Sequence, residues 1–71
     1  MKKYLVVIEE TGTGYSAYSP DLPGCVASGT TRAEVERNIS RTLSFLLSEL
    51  RADGEIVPEP HTYSAYVELP A

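Results

Sequence analysis

TRAEVERNISRTLSFLLSELRA, residues Thr31 to Ala52, decides how the rest of this 71-residue chain is arranged. Val35, Ile39, Leu43, Leu46 and Leu50 recur at steps of four, four, three and four, which draws one apolar stripe along an α-helix. Phe45 and Leu47 widen the stripe, while Arg37, Arg41, Ser44 and Ser48 lie mostly off it. Both ends are marked. Thr31 and Glu34 have capping-box spacing, in which the Thr31 hydroxyl accepts from the amide three residues on and Glu34 reaches back to the Thr31 amide. Asp53-Gly54 stops the helix, because Gly54 can adopt the left-handed conformation, and Arg51 faces the negative end of the dipole. At about 1.5 Å per residue the helix is about 30 Å long, enough to cross a whole sheet. A helix with one stripe needs one apolar surface to cover.

The flanking segments supply that surface. Lys3 to Glu9 is a β-branched run, apolar on both sides of the period-two alternation, as in a central strand covered on both faces. Thr11-Gly12-Thr13-Gly14 is turn chemistry, and Gly14 to Ser19 alternates again, with Tyr15, Ala17 and Ser19 on one side and Ser16 and Tyr18 on the other. The two runs form a hairpin. Pro20 and Pro23 remove ladder donors and end the second strand, after which Cys25 to Ser28 is a third. Beyond the helix, Pro58 and Pro60 hold Ile56 to Pro60 extended. Tyr63, Ala65, Val67 and Leu69 then alternate with Ser64, Tyr66 and Glu68, which predicts a last strand returning to the sheet. The expected architecture is a two-layer α+β domain in the order β-β-β-α-β, an antiparallel meander plus a returning strand with one long helix on one face.

Composition limits what such a domain can do. Hydrophobic residues at 42% and charged residues at 23% give a globular balance in a single domain spanning residues 1–71. A chain this short buries only about 60–65% of its unfolded surface, so small domains lean on disulfides, metals or subunit partners. Cys25 is the lone cysteine and His61 the lone histidine, which excludes an internal disulfide and leaves no zinc ligand set. By elimination, a homodimer or larger assembly is expected. The net charge of −4 argues against direct nucleic-acid binding and suits a basic protein partner. The apolar run Tyr4 to Ile8 is shorter than the about 7–15 residues of a secretory signal, and nothing approaches a membrane span of about 20, so a cytoplasmic protein is expected.

Tyr18-Ser19-Pro20-Asp21-Leu22-Pro23-Gly24-Cys25, then Gly29-Thr30-Thr31 opening a helix, then Ile56-Val57-Pro58-Glu59-Pro60, resembles the HicB-like antitoxin family over most of the chain. The combination at that order and spacing is more specific than any one motif. The resemblance implies a reduced ribonuclease-H-like fold and a role in a type II toxin–antitoxin pair. It implies as partner a small, basic, HicA-like ribonuclease that cuts mRNA, whose catalytic histidine the antitoxin covers. Family members usually append a C-terminal DNA-binding domain, whereas this sequence ends two residues after Leu69, so the expectation is an orphan or truncated member without that domain.

Candidate chemistry is sparse. Two-metal phosphodiester hydrolysis needs carboxylates converging on cations about 3.5–4 Å apart, yet Tyr4 to Ile8 carries no acid, and Glu9, Glu10 and Asp21 lie at an exposed end or in a loop. Asp21 reads as a turn-former bonding a nearby amide, with a partner contact as the other possibility. Cys25 reads as a packed thiol because only His61 could activate it. Tyr15, Tyr18, Tyr63 and Tyr66 would suit base stacking only beside a basic groove, so packing or an interface is favoured. The expectation is therefore a binding module without catalytic, metal or cofactor residues. Its interface candidates are Tyr15, Tyr18, Asp21, Tyr63 and Tyr66. The alternatives are an orphan oligomeric binding protein or a residual RNA-binding, nuclease-like domain.

Overall fold

Alternation and turn chemistry produce three short antiparallel strands, β1 (Val7–Glu10), β2 (Tyr15–Tyr18) and β3 (Val26–Gly29), followed by the helix α1 (Arg32–Ala52). This arrangement comes from a computed structural model, which describes residues 2–71. The strands lie side by side in the order β1-β2-β3. The hairpin closes through the Thr11 amide donating to the Gly14 carbonyl at 2.8 Å. Its register pairs Ile8 with Ala17 and Val7 with Tyr18, and the next ladder pairs Ala17 with Ala27 and Tyr18 with Val26. Because successive side chains alternate faces, Ile8, Ala17 and Ala27 point one way and Val7, Tyr18 and Val26 the other.

The helix forms where its caps place it. The Glu34 amide donates to the Thr31 hydroxyl at 3.1 Å, which satisfies one orphan donor of the first turn. Glu34 reaches back one residue further than the capping-box spacing predicts, accepting from the Thr30 amide at 3.0 Å and the Thr30 hydroxyl at 3.2 Å. At the other end Gly54 takes φ +71°, its amide donates to Arg51 and the Glu55 amide donates to Leu50, the paired bonds of a Schellman stop. Gly29 joins β3 to the helix so tightly that a Cβ there would sit 2.7 Å from the Val35 nitrogen. Only glycine allows that approach.

Val35 and Ile39 drive the α1 stripe onto Ala17, Leu22 and Cys25, and these five side chains are the buried core. Leu43, Leu46, Leu47 and Leu50 continue the stripe at its half-buried margin. Phe45 departs from the expectation: it is 63% exposed and widens nothing. The architecture is two-layered α+β, with one long helix on one face of an antiparallel sheet.

Two expectations are corrected. The returning strand does not form, for Tyr63 to Leu69 lies outside the hydrogen-bonded sheet. Consequently β1 is an edge strand, where the sequence predicts a central one with both faces covered. Upstream of this segment, the Tyr4 hydroxyl donates to the Pro58 carbonyl at 2.6 Å and the Asp21 carboxylate accepts from the His61 and Thr62 amides, which ties the chain after α1 back to the strand layer. Past Thr62, no hydrogen bond holds the chain among the described residues.

Candidate partner-binding surface

Asp21 enters the site from the proline-bounded loop between β2 and β3. The loop tightens on itself, with the Leu22 amide donating to Ser19 and the Cys25 amide to Leu22, so Asp21 is turned inward and buried. Its carboxylate accepts from the Thr62 hydroxyl at 2.6 Å, the Thr62 amide at 3.1 Å and the His61 amide at 3.1 Å. The sequence expectation of a carboxylate bonding a nearby amide is therefore corrected, since its donors lie forty residues away. The Thr62 hydroxyl bond is the main cause of a carboxyl held below its ordinary 3.8, with the two amides and the His61 ring adding to it against the opposing effect of burial. The exposed His61 ring stands 3.4 Å from the same carboxylate. Buried and fully engaged by its own chain, Asp21 does not stand on the surface as a partner contact. It is the clasp at the root of the C-terminal arm.

The four tyrosines do not make one platform. Tyr15 lies on the helix-facing side of β2 and is half-buried, while Tyr18 points to the opposite, uncovered face. Tyr63 and Tyr66 belong to the arm, at 88% and 100% exposure, together with the exposed Val67 and Leu69. Tyr15 and Tyr66 do come near each other, at a cleft also lined by Val6, Ile8, Glu10 and Arg32. Stacking of successive bases needs aligned rings over a basic groove, which this arrangement does not provide.

Two apolar surfaces emerge instead. On the uncovered face, Val7, Tyr18 and Val26 form a row across all three strands, flanked by Glu9, Ser16 and Ser28. Val26 is 64% exposed. Contiguous exposed apolar groups rimmed by polar ones mark an interaction surface. On the other face, a cleft of ≈ 440 Å³ opens between the β1 edge and α1, with Tyr4, Val6, Ile8, Ile39 and Leu43 inside and Arg32 and Glu36 at the rim. Val7, Val26 and Tyr4 were not singled out from the sequence. Alternation shows which residues share a face, but not which face the helix leaves bare.

Among the described residues, no three or more His, Cys, Asp or Glu gather so as to hold a metal ion. Cys25 is buried, and burial pushes its thiol above the ordinary 9.0, which disfavours the nucleophilic thiolate. No helix is long and apolar enough to cross a membrane among those residues.

No model of a known protein family matches the chain. Individual proteins do. A protein of Haemophilus phage HP1, described as an uncharacterized 14.9 kDa protein in the rep-hol intergenic region, is 31% identical over 67 residues, 94% of this chain and 50% of its own length. The UPF0150 protein ssr1765 of Synechocystis is 35% identical over 57 residues, 79% of this chain and 72% of its own length. The chain thus spans half the length of the phage relative and most of the cyanobacterial one. Among solved structures, a chain of a HicA3 and HicB3 toxin-antitoxin complex superposes with a TM-score of 0.71 at 28% identity, covering 84% of this chain and 70% of that one.

Proposed function

Because the chain belongs to the UPF0150 family of HicB-like proteins, we propose that it is an antitoxin-type module that binds and masks a small basic ribonuclease toxin in the cytoplasm. The observation that carries this reading is the likeness to a chain of the toxin-antitoxin complex, at an identity high enough to speak to more than the fold. The module acts by occupying space, without chemistry of its own. The row Val7, Tyr18 and Val26 on the uncovered face is the surface that fits the task. Its aromatic and branched side chains supply apolar contact, and exposed Glu9 beside them, within a chain of net charge −4, favours a basic partner.

The test is co-expression with a small basic ribonuclease of the HicA type, followed by co-purification and an mRNA-cleavage assay. Complex formation with loss of cleavage is the expected result. Tyr18→Asp places a charge in the apolar row and should weaken the complex by about tenfold or more. Association should also slow as salt rises, since charge complementarity acts mainly on the rate of encounter. Cleavage undiminished at excess antitoxin would overturn the proposal.

A further inference from the structure

Among the described residues, Phe45 is the one large apolar side chain on α1 that stands exposed, and it stands beside cations. At 3.6 residues per turn, Arg37, Arg41, Ser44, Ser48 and Arg51 fall within an arc of about 80° on the side of α1 turned away from the core, and Phe45 flanks that arc about 40° beyond Arg41. All six are exposed. No ion pair engages the three arginines among the described residues. The acids that interrupt them in the sequence are turned elsewhere. Glu34 accepts from the Thr30 amide and hydroxyl, and Glu36 lines the cleft between β1 and α1. Glu49 lies about 80° outside the arc. What remains is a ridge of guanidinium and hydroxyl groups with one ring at its side.

The net charge of −4 conceals this ridge. Four of the 6 Lys and Arg residues lie on α1, and all four are Arg. Glu9, on the uncovered face, is separated from the ridge by the sheet and by a helix about 10 Å thick. Fields decay over about 8 Å at 0.15 M salt, so an ion at the ridge is largely screened from that side of the molecule. Glu59 is already paired with Lys2. Asp53 and Glu55 follow the helix at its Arg51 end, which leaves Arg37 and Arg41 the stronger half. Overall acidity argues against nucleic acid for the chain as a whole, but not for this face.

We infer that the outer ridge of α1 binds single-stranded RNA, with Arg37, Arg41 and Arg51 on phosphates and Phe45 stacked on one base. Arg37 and Arg41 are one turn apart, about 6 Å along the axis, and Arg51 lies about 15 Å further on. Three arguments favour this occupant. Guanidinium forks and serine hydroxyls are the side chains that grip sugar-phosphate backbones. An acidic peptide would answer the arginines but offers nothing flat for Phe45, whereas every unpaired base has a face to stack. A duplex hides those faces and is held by about 6–10 phosphate contacts, more than three arginines supply. Ser44 and Ser48 can each donate and accept, which suits the 2′-hydroxyl that distinguishes RNA from DNA. The ridge lies across the domain from Val7, Tyr18 and Val26, so a protein on that row leaves it open.

Fluorescence anisotropy of a labelled oligouridylate of about twelve nucleotides, within the usual range of single-strand site sizes, tests this. It uses the purified full chain with no toxin present, so its outcome is separate from that of the antitoxin proposal. The expected result is saturable binding at about 50 mM salt, with the logarithm of affinity falling against that of salt at a slope of about −2, the value for three phosphates. Between about 50 and 200 mM salt that slope is a loss of about 20-fold. Arg37→Gln combined with Arg41→Gln should reduce the slope to about −0.7. Phe45→Ala should weaken binding about tenfold at an unchanged slope. Helical circular dichroism should stay the same in both, since all three side chains are exposed. Lys3→Gln removes an exposed cation away from the ridge and should change neither affinity nor slope. Absence of binding at about 50 mM salt would overturn the inference. So would equal binding of oligodeoxythymidylate or polyglutamate, or a double arginine variant that keeps the full slope.

Discussion

At the scale of single residues, Asp21 and Cys25 show how burial divides two groups that a sequence lists side by side as candidates. Asp21 is stabilised in its charged form by three donors from Thr62 and His61, and so titrates below its ordinary 3.8. A carboxyl with a lowered folded value contributes stability above its unfolded value and loses it as pH falls through the folded one. The clasp is therefore complete at neutral pH and fails only below 3.8. Amide exchange at His61 and Thr62 should be flat from neutral pH down to about 4 and accelerate only as pH falls below 3.8, once the intrinsic pH dependence of exchange is removed. Asp21→Asn keeps one acceptor oxygen but turns an NH2 toward amide and hydroxyl donors. It should release the arm root and lower the melting midpoint at pH 7 while abolishing the acid step. Cys25, by contrast, is walled in, with its thiol raised above the ordinary 9.0. It should resist alkylation in the native protein at pH 8 and react fully in denaturant. Rapid native labelling would contradict its place in the core.

At the scale of elements, α1 supplies two of the five buried core side chains, Val35 and Ile39, and its first turn is the sensitive point. Thr31→Ala removes the acceptor for the Glu34 amide and should cost about 1 kcal/mol, read as a lower denaturant midpoint with an unchanged slope. Gly29→Ala should cost more, about 1–3 kcal/mol, because a Cβ 2.7 Å from the Val35 nitrogen forces the helix away from β3. If the two variants proved equally mild, the tight strand-to-helix junction would not be a structural constraint. The strands behave differently. Each is only four residues long, and three such strands under one helix give a core of five buried apolar side chains among the described residues. The arm is where the element scale fails, since its alternation satisfies every local requirement of a strand and lacks only a neighbour.

For the whole molecule, a small core and a large exposed surface predict marginal stability for the isolated chain and a gain on association. If the chain associates with itself, the melting midpoint should rise with protein concentration, because dilution favours the unfolded chains by mass action. A midpoint independent of concentration over a hundredfold range (about 2.7 kcal/mol of mass action) would indicate a monomer that melts alone.

The local elements were legible in the sequence because their causes are local. The α1 stripe, the Thr31 cap, the Gly54 stop and the hairpin turn each depend on residues within a few positions of one another, and the structure has all of them. The opposite facing of Tyr15 and Tyr18 follows from the same alternation. What only the tertiary structure decided involves partners far apart in the chain: Asp21 with Thr62, Tyr4 with Pro58, the unpaired arm, and β1 at the edge rather than the centre. Period-two alternation states that a segment can pair, but pairing is a contact between distant segments, and its choice depends on which backbone edge is free and how far the connection reaches. Asp21 takes its donors about forty residues away, a contact between distant segments that no local pattern announces.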